Sequence, residues 1–196
     1  FRYSDYTIRE YIRNFIMSKL ETNTIDTVSG TTNLVIGSTN TSTITMPNGA
    51  LSGQNYPAFE ARLDADQTLS DATTTKLALA RELLDTDNAY DATTNYRFTP
   101  QVAGNYFVYL NVAFVGSGGI NDSSSYIYKN GSSLIVGLNN DSALTQQSQY
   151  ISGILPMNGS SDYIEAFANN DVAVGSSCVI DSDGRKTLFG GYRIGA

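Results

Sequence analysis

Residues 105–115 read NYFVYLNVAFV, and this stretch decides the fold. Side chains alternate between the two faces of a β-strand. One face would carry Tyr106, Val108, Leu110, Val112 and Phe114, and the other Phe107, Tyr109, Ala113 and Val115, interrupted by Asn111. A strand that is apolar on both faces must be covered on both. We therefore expect a second sheet on one face and more protein, such as another copy of this chain, on the other.

Spaced motifs continue outward from this strand. Phe98 is followed after five residues by Gly104 and after one more by Tyr106, and Leu79, Asp85 and Tyr90 lie upstream. Downstream come KNG at 129–131, Asp162-x-Ile164 and Phe189-x-Gly191-x-x-Ile194. In this order the motifs of residues 57–196 resemble the signature of the C1q/TNF-like jelly-roll family. The resemblance implies an all-β, homotrimeric jelly-roll head whose trimer interface is formed by Phe107, Tyr109, Ala113 and Val115.

Other parts of residues 57–196 also predict short strands. Phe59, Ala61 and Leu63 alternate with charged residues, and Asn130-Gly131 between two apolar runs predicts a tight hairpin. Residues 76–84 suit a strand or a helix by composition, and the family resemblance favours the strand. Many short strands separated by Gly, Asn and Ser predict a β-sandwich.

The N-terminal part has a different character. Residues 4–20 place apolar side chains three and four positions apart, which predicts an amphipathic helix in a segment 1–20. Such a helix either packs on its own domain or serves oligomerisation and docking onto a larger body. Residues 21–56 are rich in Ser, Thr and Asn, with apolar residues recurring about every ten positions. This segment is either a β-rich stalk, which we favour, or a flexible linker.

Composition limits the classes of partner. With 41% hydrophobic residues among 196, the chain can bury a core. A net charge of −7 disfavours nucleic acid and anionic membranes as partners. No apolar run reaches the length of about 18 residues that a membrane-spanning helix needs, so we expect no membrane insertion.

No residue pattern indicates catalysis, and we expect no enzyme activity, cofactor or catalytic residue. The chain has no His, the commonest general base and metal ligand. Cys178 is the only cysteine, and a buried structural role is favoured over a catalytic thiol. Glu60, Glu82 and Glu165 lie in predicted strands, where a carboxylate is usually just solvated.

The sequence Asp181-Ser182-Asp183-Gly184 begins like a calcium-binding loop. The twelfth position of that loop is Tyr192 rather than the required Glu, so no metal site is predicted there. A hairpin turn at Asp183-Gly184 is the favoured interpretation. Calcium held by Asp side chains from several loops stays open as an alternative.

Three predicted loops, 116–123, 139–146 and 169–186, are long and rich in Asn, Asp, Ser and Gly. Because connections in an antiparallel sheet alternate between its ends, these loops should share one end and the turns at 130–131 and 156–161 the other. The family resemblance implies that the stalk joins at the end where Ala196 emerges, so the loops would be distal. We predict ligand binding there by Asn121, Asp122, Asn139, Asn140, Asp141, Asn169, Asn170 and Asp171. The alternative is that the loops are merely variable surface.

Helix, stalk and jelly-roll head in series resemble a phage fibre or a similar virion appendage. The resemblance implies a homotrimer on the virion surface whose tip mediates adhesion or binds a host receptor, such as a surface glycan. Residues 1–56 would contact other virion proteins. The alternative is a virion decoration or cement protein that stabilises the particle. A secreted C1q-like lectin is disfavoured because no collagen Gly-X-Y repeat is present.

Overall fold

The computed structural model describes residues 56–140, 144–173 and 177–195, which belong to a compact unit spanning Gly53–Ala196. The predicted helix 1–20 and all but the last residue of the predicted stalk 21–56 lie outside the described residues. Twelve strands are described: β1 (Ala58–Arg62), β2 (Gln67–Ser70), β3 (Thr75–Lys76), β4 (Arg81–Asp85), β5 (Tyr90–Asp91), β6 (Arg97–Phe98), β7 (Gly104–Lys129), β8 (Ser132–Asn139), β9 (Leu144–Met157), β10 (Ile164–Val172), β11 (Ser177–Ile180) and β12 (Leu188–Gly195).

The stretch that decides the fold is the first half of β7, as predicted. Its first face is completely buried, since Tyr106, Val108, Leu110, Val112 and Phe114 are each 0% exposed. On the other face Phe107, Tyr109 and Val115 are only half-buried, while Ala113 is buried. One face therefore lies in the core of this chain, and the other is incompletely covered by it.

The prediction of a loop at 116–123 is wrong, because β7 continues through these residues to Lys129. The first half of β7 pairs with β12 on one side and β9 on the other. The second half pairs with β10 and β8. Between Val115 and Ile120 the register with β9 shifts, and Gly119 has a φ of 87°. The glycines thus let the strand pass between two sets of partners without ending.

The strands form two layers joined through β7. Sheet 1 contains β4, β1, β12, the first half of β7 and β9, and sheet 2 contains β8, the second half of β7, β10, β6, β5 and β3. The remaining two strands, β11 and β2, pair with each other, and β11 also pairs with the first half of β7. Phe59 of sheet 1 stacks on Phe98 of sheet 2 with 4.2 Å between ring centroids. Tyr106 meets the same Phe98 edge-on at 5.9 Å. These aromatic contacts join the layers, which confirms the predicted all-β sandwich.

Residues 76–84 contain no helix. Lys76 ends β3 and Arg81 begins β4, so the predicted strand is confirmed at its two ends, but residues 77–80 between them are not in a strand. The predicted hairpin at Asn130-Gly131 is also confirmed, because β7 pairs directly with β8 and both turn residues have positive φ, 53° and 80°. A two-residue turn of this kind matches the twist of the strands that it joins.

The two ends of the domain differ. At the end that we call the base, Arg193 N donates to Pro57 O at 2.9 Å, so the chain enters near the end of β12. The turn at 130–131 lies at the base too, because Lys129 Nζ donates to the carbonyl of Pro156, and Asn105 lies opposite both Pro156 and Gly195 at the end of β12. At the opposite end, the tip, Asp122 lies opposite Asp171 and Ile120 lies opposite Leu144. The described parts of the predicted loops therefore do gather at the end away from the chain entry.

Candidate functional site

The structure brings several predicted ligand-binding residues together at the tip, although on strands rather than loops. Asn121 and Asp122 lie in β7, and Asp171 lies in β10 directly opposite Asp122. Asn121 Nδ2 donates to Asp171 Oδ1 at 3.5 Å. Asn169 is also in β10, and its Nδ2 donates to Thr74 Oγ1 at 3.0 Å. Strand pairing therefore fixes these polar groups in place.

Two predicted residues belong to an inward-facing row and not to the exposed surface. Asn139 and Asn170 both lie opposite Ser123, one on each side of it, and Ser123 is 1% exposed. Asn170 is 0% exposed and Asn139 is half-buried. The prediction that Asn170 forms part of a contact surface is wrong. β10 extends to Val172, and side chains along a strand alternate between its two faces. Every second residue of β10, Asn170 included, therefore points into the sandwich.

Asn140 is exposed immediately after β8, and Asp141 lies outside the described residues. Sequence reasoning missed two apolar neighbours of these residues, Leu138 and Leu144, which are 70% and 43% exposed at the tip. The alternation Leu134, Val136, Leu138 could have revealed an apolar outer face on β8. The tip thus combines amides and carboxylates with exposed aliphatic side chains.

Behind the tip surface, the interior of the sandwich is polar. Ser123 Oγ donates to Gln147 Oε1 at 2.6 Å and accepts from Gln149 Nε2 at 2.9 Å. Ser125 Oγ donates to Gln149 Oε1. All four side chains are at least nine-tenths buried. This polar ladder links sheet 2 to β9 of sheet 1 without any charged group.

The outer face of sheet 1 is apolar and exposed along a cross-strand row. Tyr192, Phe107 and Ile154 lie side by side on β12, β7 and β9. Tyr192 is 47% exposed and Ile154 is 60% exposed. The same face carries Tyr150, 60% exposed on β9. Exposed apolar side chains that lie next to one another in this way are typical of interaction surfaces.

One polar group lies within this face. The Tyr109 hydroxyl donates to Glu60 Oε2 at 2.7 Å, and Arg185 Nη1 lies 3.3 Å from Glu60 Oε1. Burial raises the pKa of Tyr109, and the hydrogen bond to the Glu60 carboxylate raises it further. The phenol therefore stays neutral and donates a hydrogen bond to a carboxylate that is also paired with Arg185.

A second exposed apolar surface lies on β8. Leu134, Val136 and Leu138 project from one face of this strand and are 52%, 47% and 70% exposed. We call these three side chains the β8 strip. On its inner face, β8 packs so closely on β9 that a Cβ at Gly137 or at Gly153 would collide with Ile151 or Ile135. The β8 strip and the outer face of sheet 1 therefore flank the same edge of the sandwich.

No family model and no curated protein matches this chain. Several solved structures do match. The crystal structure of murine APRIL at pH 8.0 has a TM-score of 0.55 and 12% identity, covering 71% of this chain and 100% of that one. The globular domain of the zebrafish complement 1qA protein has a TM-score of 0.51 and 15% identity, covering 70% of this chain and 97% of that one.

The described head has a C1q/TNF-like jelly-roll fold. At these identities the likeness concerns the fold alone, so the chemistry of this jelly roll must come from its own residues. Those residues include the exposed apolar side chains at the tip (Leu138, Leu144), on sheet 1 (Tyr150, Ile154, Tyr192) and on the β8 strip.

The turn at Asp183-Gly184 is present in the jelly roll, but the predicted hairpin is wrong. Gly184 has a φ of 58° and Lys186 N donates to Asp183 O at 3.2 Å. Ile180 lies opposite Phe114 and Leu188 opposite Asn111, so β11 and β12 run in line along one side of β7. The turn therefore connects two strands that lie in line, and it does not form a hairpin.

The carboxylates of this turn are paired with an ammonium group, since Lys186 Nζ lies 2.8 Å from Asp181 Oδ2 and 3.3 Å from Asp183 Oδ2.

A groove of about 430 Å³ lies beside this turn and crosses β7 at residues 113–115, with β9 on one side and the turn on the other. Its walls include Ala113 and Val115 of the predicted interface, together with Gln147, Asp181 and Lys186. Gln147 also belongs to the polar ladder, so one side chain connects the wall of the groove with the buried polar interior.

The remaining candidate residues have structural contacts. Glu165 is 5% exposed and accepts from Lys76 Nζ at 2.6 Å, so it is not the solvated carboxylate that we expected. Cys178 is 1% exposed, as predicted, and burial raises the pKa of its thiol. A raised pKa works against the thiolate that a nucleophile requires.

Within the described ranges, no group of three or more His, Cys, Asp and Glu side chains is placed to hold a metal ion. In that same part of the chain, no helix is long and apolar enough to cross a membrane.

Proposed function

We propose that this chain is a homotrimeric binding protein whose trimer is held by the outer face of sheet 1. The observation that carries this proposal is the row Tyr192–Phe107–Ile154, which one chain leaves exposed. Burying such side chains contributes about 25 cal/mol per Å² of apolar area removed from water. The half-buried Phe107, Tyr109 and Val115, with the buried Ala113 between them, are the trimer-facing residues of β7 in this proposal.

A closed threefold ring needs two different surfaces on each chain, because each copy contacts its two neighbours through non-identical patches. The β8 strip supplies the second surface. It carries no charged side chain, so covering it would not bury an unpaired charge. Since it flanks the same edge as Ile154, we propose that this edge of one copy packs against the outer face of sheet 1 of the next.

The polar group on sheet 1 is compatible with burial in such an interface. Burying an unpaired carboxylate is costly, but Glu60 already accepts from Tyr109 and lies beside Arg185. Because both partners belong to the same chain, the carboxylate keeps them when a second copy covers this face.

We further propose that the tip of the trimer mediates adhesion by binding a host receptor, with a surface glycan as the ligand class. Amide and carboxylate groups of Asn121, Asp122, Asn140, Asn169 and Asp171 supply hydrogen bonds to hydroxyl groups. The exposed Leu138 and Leu144 supply apolar contacts. Three tips acting together can raise the avidity about 10²- to 10⁴-fold without new contacts.

The place of this protein on a virion rests on the order of its segments. The helix predicted in residues 1–20 and the Ser/Thr/Asn-rich stalk predicted in 21–56, followed by a jelly roll, resemble a phage fibre. Within the described residues the base, where the chain enters, lies opposite the tip. We propose that residues 1–56 attach the trimer to other virion proteins and leave the tip facing outward.

A glycan array probed with the full-length protein tests the binding proposal. Asp122→Ala with Asn140→Ala should abolish the signal, while Gln101→Ala, an exposed substitution at the base, should leave it unchanged. Retained binding in the tip variant would exclude the tip. A particle density map that shows residues 1–56 buried between shell subunits would favour the competing role of a cement protein.

A further inference from the structure

Asn170 presents a polar side chain that the described residues leave without a hydrogen-bond partner. The residue is 0% exposed, and neither Nδ2 nor Oδ1 has a partner. Its backbone is satisfied, since Asn170 O accepts from Ala72 N at 2.7 Å. Buried polar groups in folded proteins are nearly always hydrogen-bonded, so an unpaired amide calls for an explanation.

The neighbours of Asn170 define what could bind it. Ser123 lies directly opposite on β7, and side chains of directly opposed residues have Cβ atoms about 4.5–5.5 Å apart. The Ser123 hydroxyl donates to Gln147 Oε1 and accepts once, from Gln149 Nε2. A hydroxyl has one donor and two acceptor positions. Ser123 Oγ therefore has one acceptor position left and no donor.

The neighbouring Gln149 offers no free donor either. Its Nε2 donates both to Ser123 O, at 2.8 Å, and to Ser123 Oγ. An occupant of this space must accept from Asn170 Nδ2 and donate to Asn170 Oδ1 and to Ser123 Oγ. A cation cannot accept, and a simple anion cannot donate. An ion would also lack a counter-charge, since the polar ladder is neutral. A water molecule has two donors and two acceptor positions and meets every requirement.

We propose that an ordered water molecule is bound inside the sandwich between the side chains of Asn170 and Ser123. Buried waters of this kind typically make about three hydrogen bonds to groups that are otherwise unpaired. The bound water holds the inner side of the strand segment whose outer side carries Asn169 and Asp171.

A crystal structure of the full chain, at a resolution that shows ordered waters, tests this site. The expected result is a density peak about 2.7–3.2 Å from Asn170 Nδ2, Asn170 Oδ1 and Ser123 Oγ. Asn170→Leu, which keeps the side-chain size and removes both polar atoms, should lose that peak. Asn169→Leu, its outward-facing neighbour, should keep it.

Two results would overturn the proposal. One is a structure of the unaltered protein in which the Asn170 amide bonds directly to protein atoms and the space holds no water. The other is an unchanged density peak in Asn170→Leu. If Asn170→Leu does not fold, the structure of the unaltered protein and that of Ser123→Ala, in which the peak should weaken or shift, decide the question.

Discussion

The phenol ring of Tyr109 lies across Gly190, and its hydroxyl donates a 2.7 Å hydrogen bond to Glu60 Oε2. A Cβ at position 190 would overlap Cζ and Oη of Tyr109 and would press on the Phe59 carbonyl oxygen at 3.0 Å. The ring reaches the carboxylate on β1 only because residue 190 has no side chain.

We therefore expect Gly190→Ala to displace the Tyr109 ring and to lower the free energy of unfolding by about 1–3 kcal/mol, as overpacking typically does. Chemical denaturation at a fixed chain concentration measures the effect. Gly195→Ala is the matched control, because no atom lies within 4 Å of its added Cβ. Equal stability of the two variants would show that the ring can move aside freely.

Tyr90 should make the protein sensitive to alkaline pH. Burial raises the pKa of its hydroxyl, which donates to Leu79 O at 3.0 Å. A tyrosine in the unfolded chain ionises near pH 10, so its contribution is complete below about pH 10 and is lost as the pH rises further. Between about pH 9 and 11, the melting temperature of Tyr90→Phe should therefore fall less than that of the unaltered protein. Tyr56→Phe, at an exposed ring, should follow the unaltered protein.

Asp91 should contribute stability that is lost in acid. Backbone N–H groups of Thr94 and Thr93 donate to Oδ1 at 2.9 and 3.0 Å, and Asn95 Nδ2 donates to Oδ2 at 2.7 Å. These hydrogen bonds lower the pKa of Asp91, so its contribution is present above an unfolded-state pKa of about 3.9 and is lost as the pH falls below it.

Asp91→Ala should lower the free energy of unfolding by about 1 kcal/mol at neutral pH through loss of these bonds. The difference from the unaltered protein should shrink as the pH falls below about 4. Denaturation curves at pH 7 and at low pH measure both values. A constant difference across this range would contradict the assignment to the carboxylate.

The two proposed contact surfaces can be tested separately by adding a charge. Ile154→Lys on sheet 1 and Val136→Lys on the β8 strip change side chains that are 60% and 47% exposed, so each chain should still fold. In a trimer either ammonium would be buried, and we expect dissociation at micromolar concentration. Gln101→Lys adds the same charge at the base and should stay assembled. If Val136→Lys stays assembled while Ile154→Lys dissociates, the β8 strip is excluded and the sheet 1 face is retained.

Some of this structure follows directly from the sequence. The alternation in 105–115 predicts both the central strand and the difference between its faces, because the side-chain period of a strand is two. The turn at Asn130-Gly131 is equally predictable, since both residues tolerate the positive φ that the turn needs.

Other features depend on where a strand ends, which composition does not determine. The run Gly116 to Gly119 is typical of a loop, yet backbone pairing continues on both sides of it. The polar run Asn169-Asn170-Asp171 is typical of a loop, so the sequence predicts that Asn170 is exposed. A strand that extends only to Asn169 would leave Asn170 free, whereas one that extends to Val172 turns it inward.

The mass of the full-length protein in solution tests the central claim most directly. Size-exclusion chromatography with light scattering should give a species of three times 21.2 kDa that persists on dilution to micromolar concentration. A well-folded species of 21.2 kDa under the same conditions would contradict the account, because it would show that the exposed face of sheet 1 needs no partner.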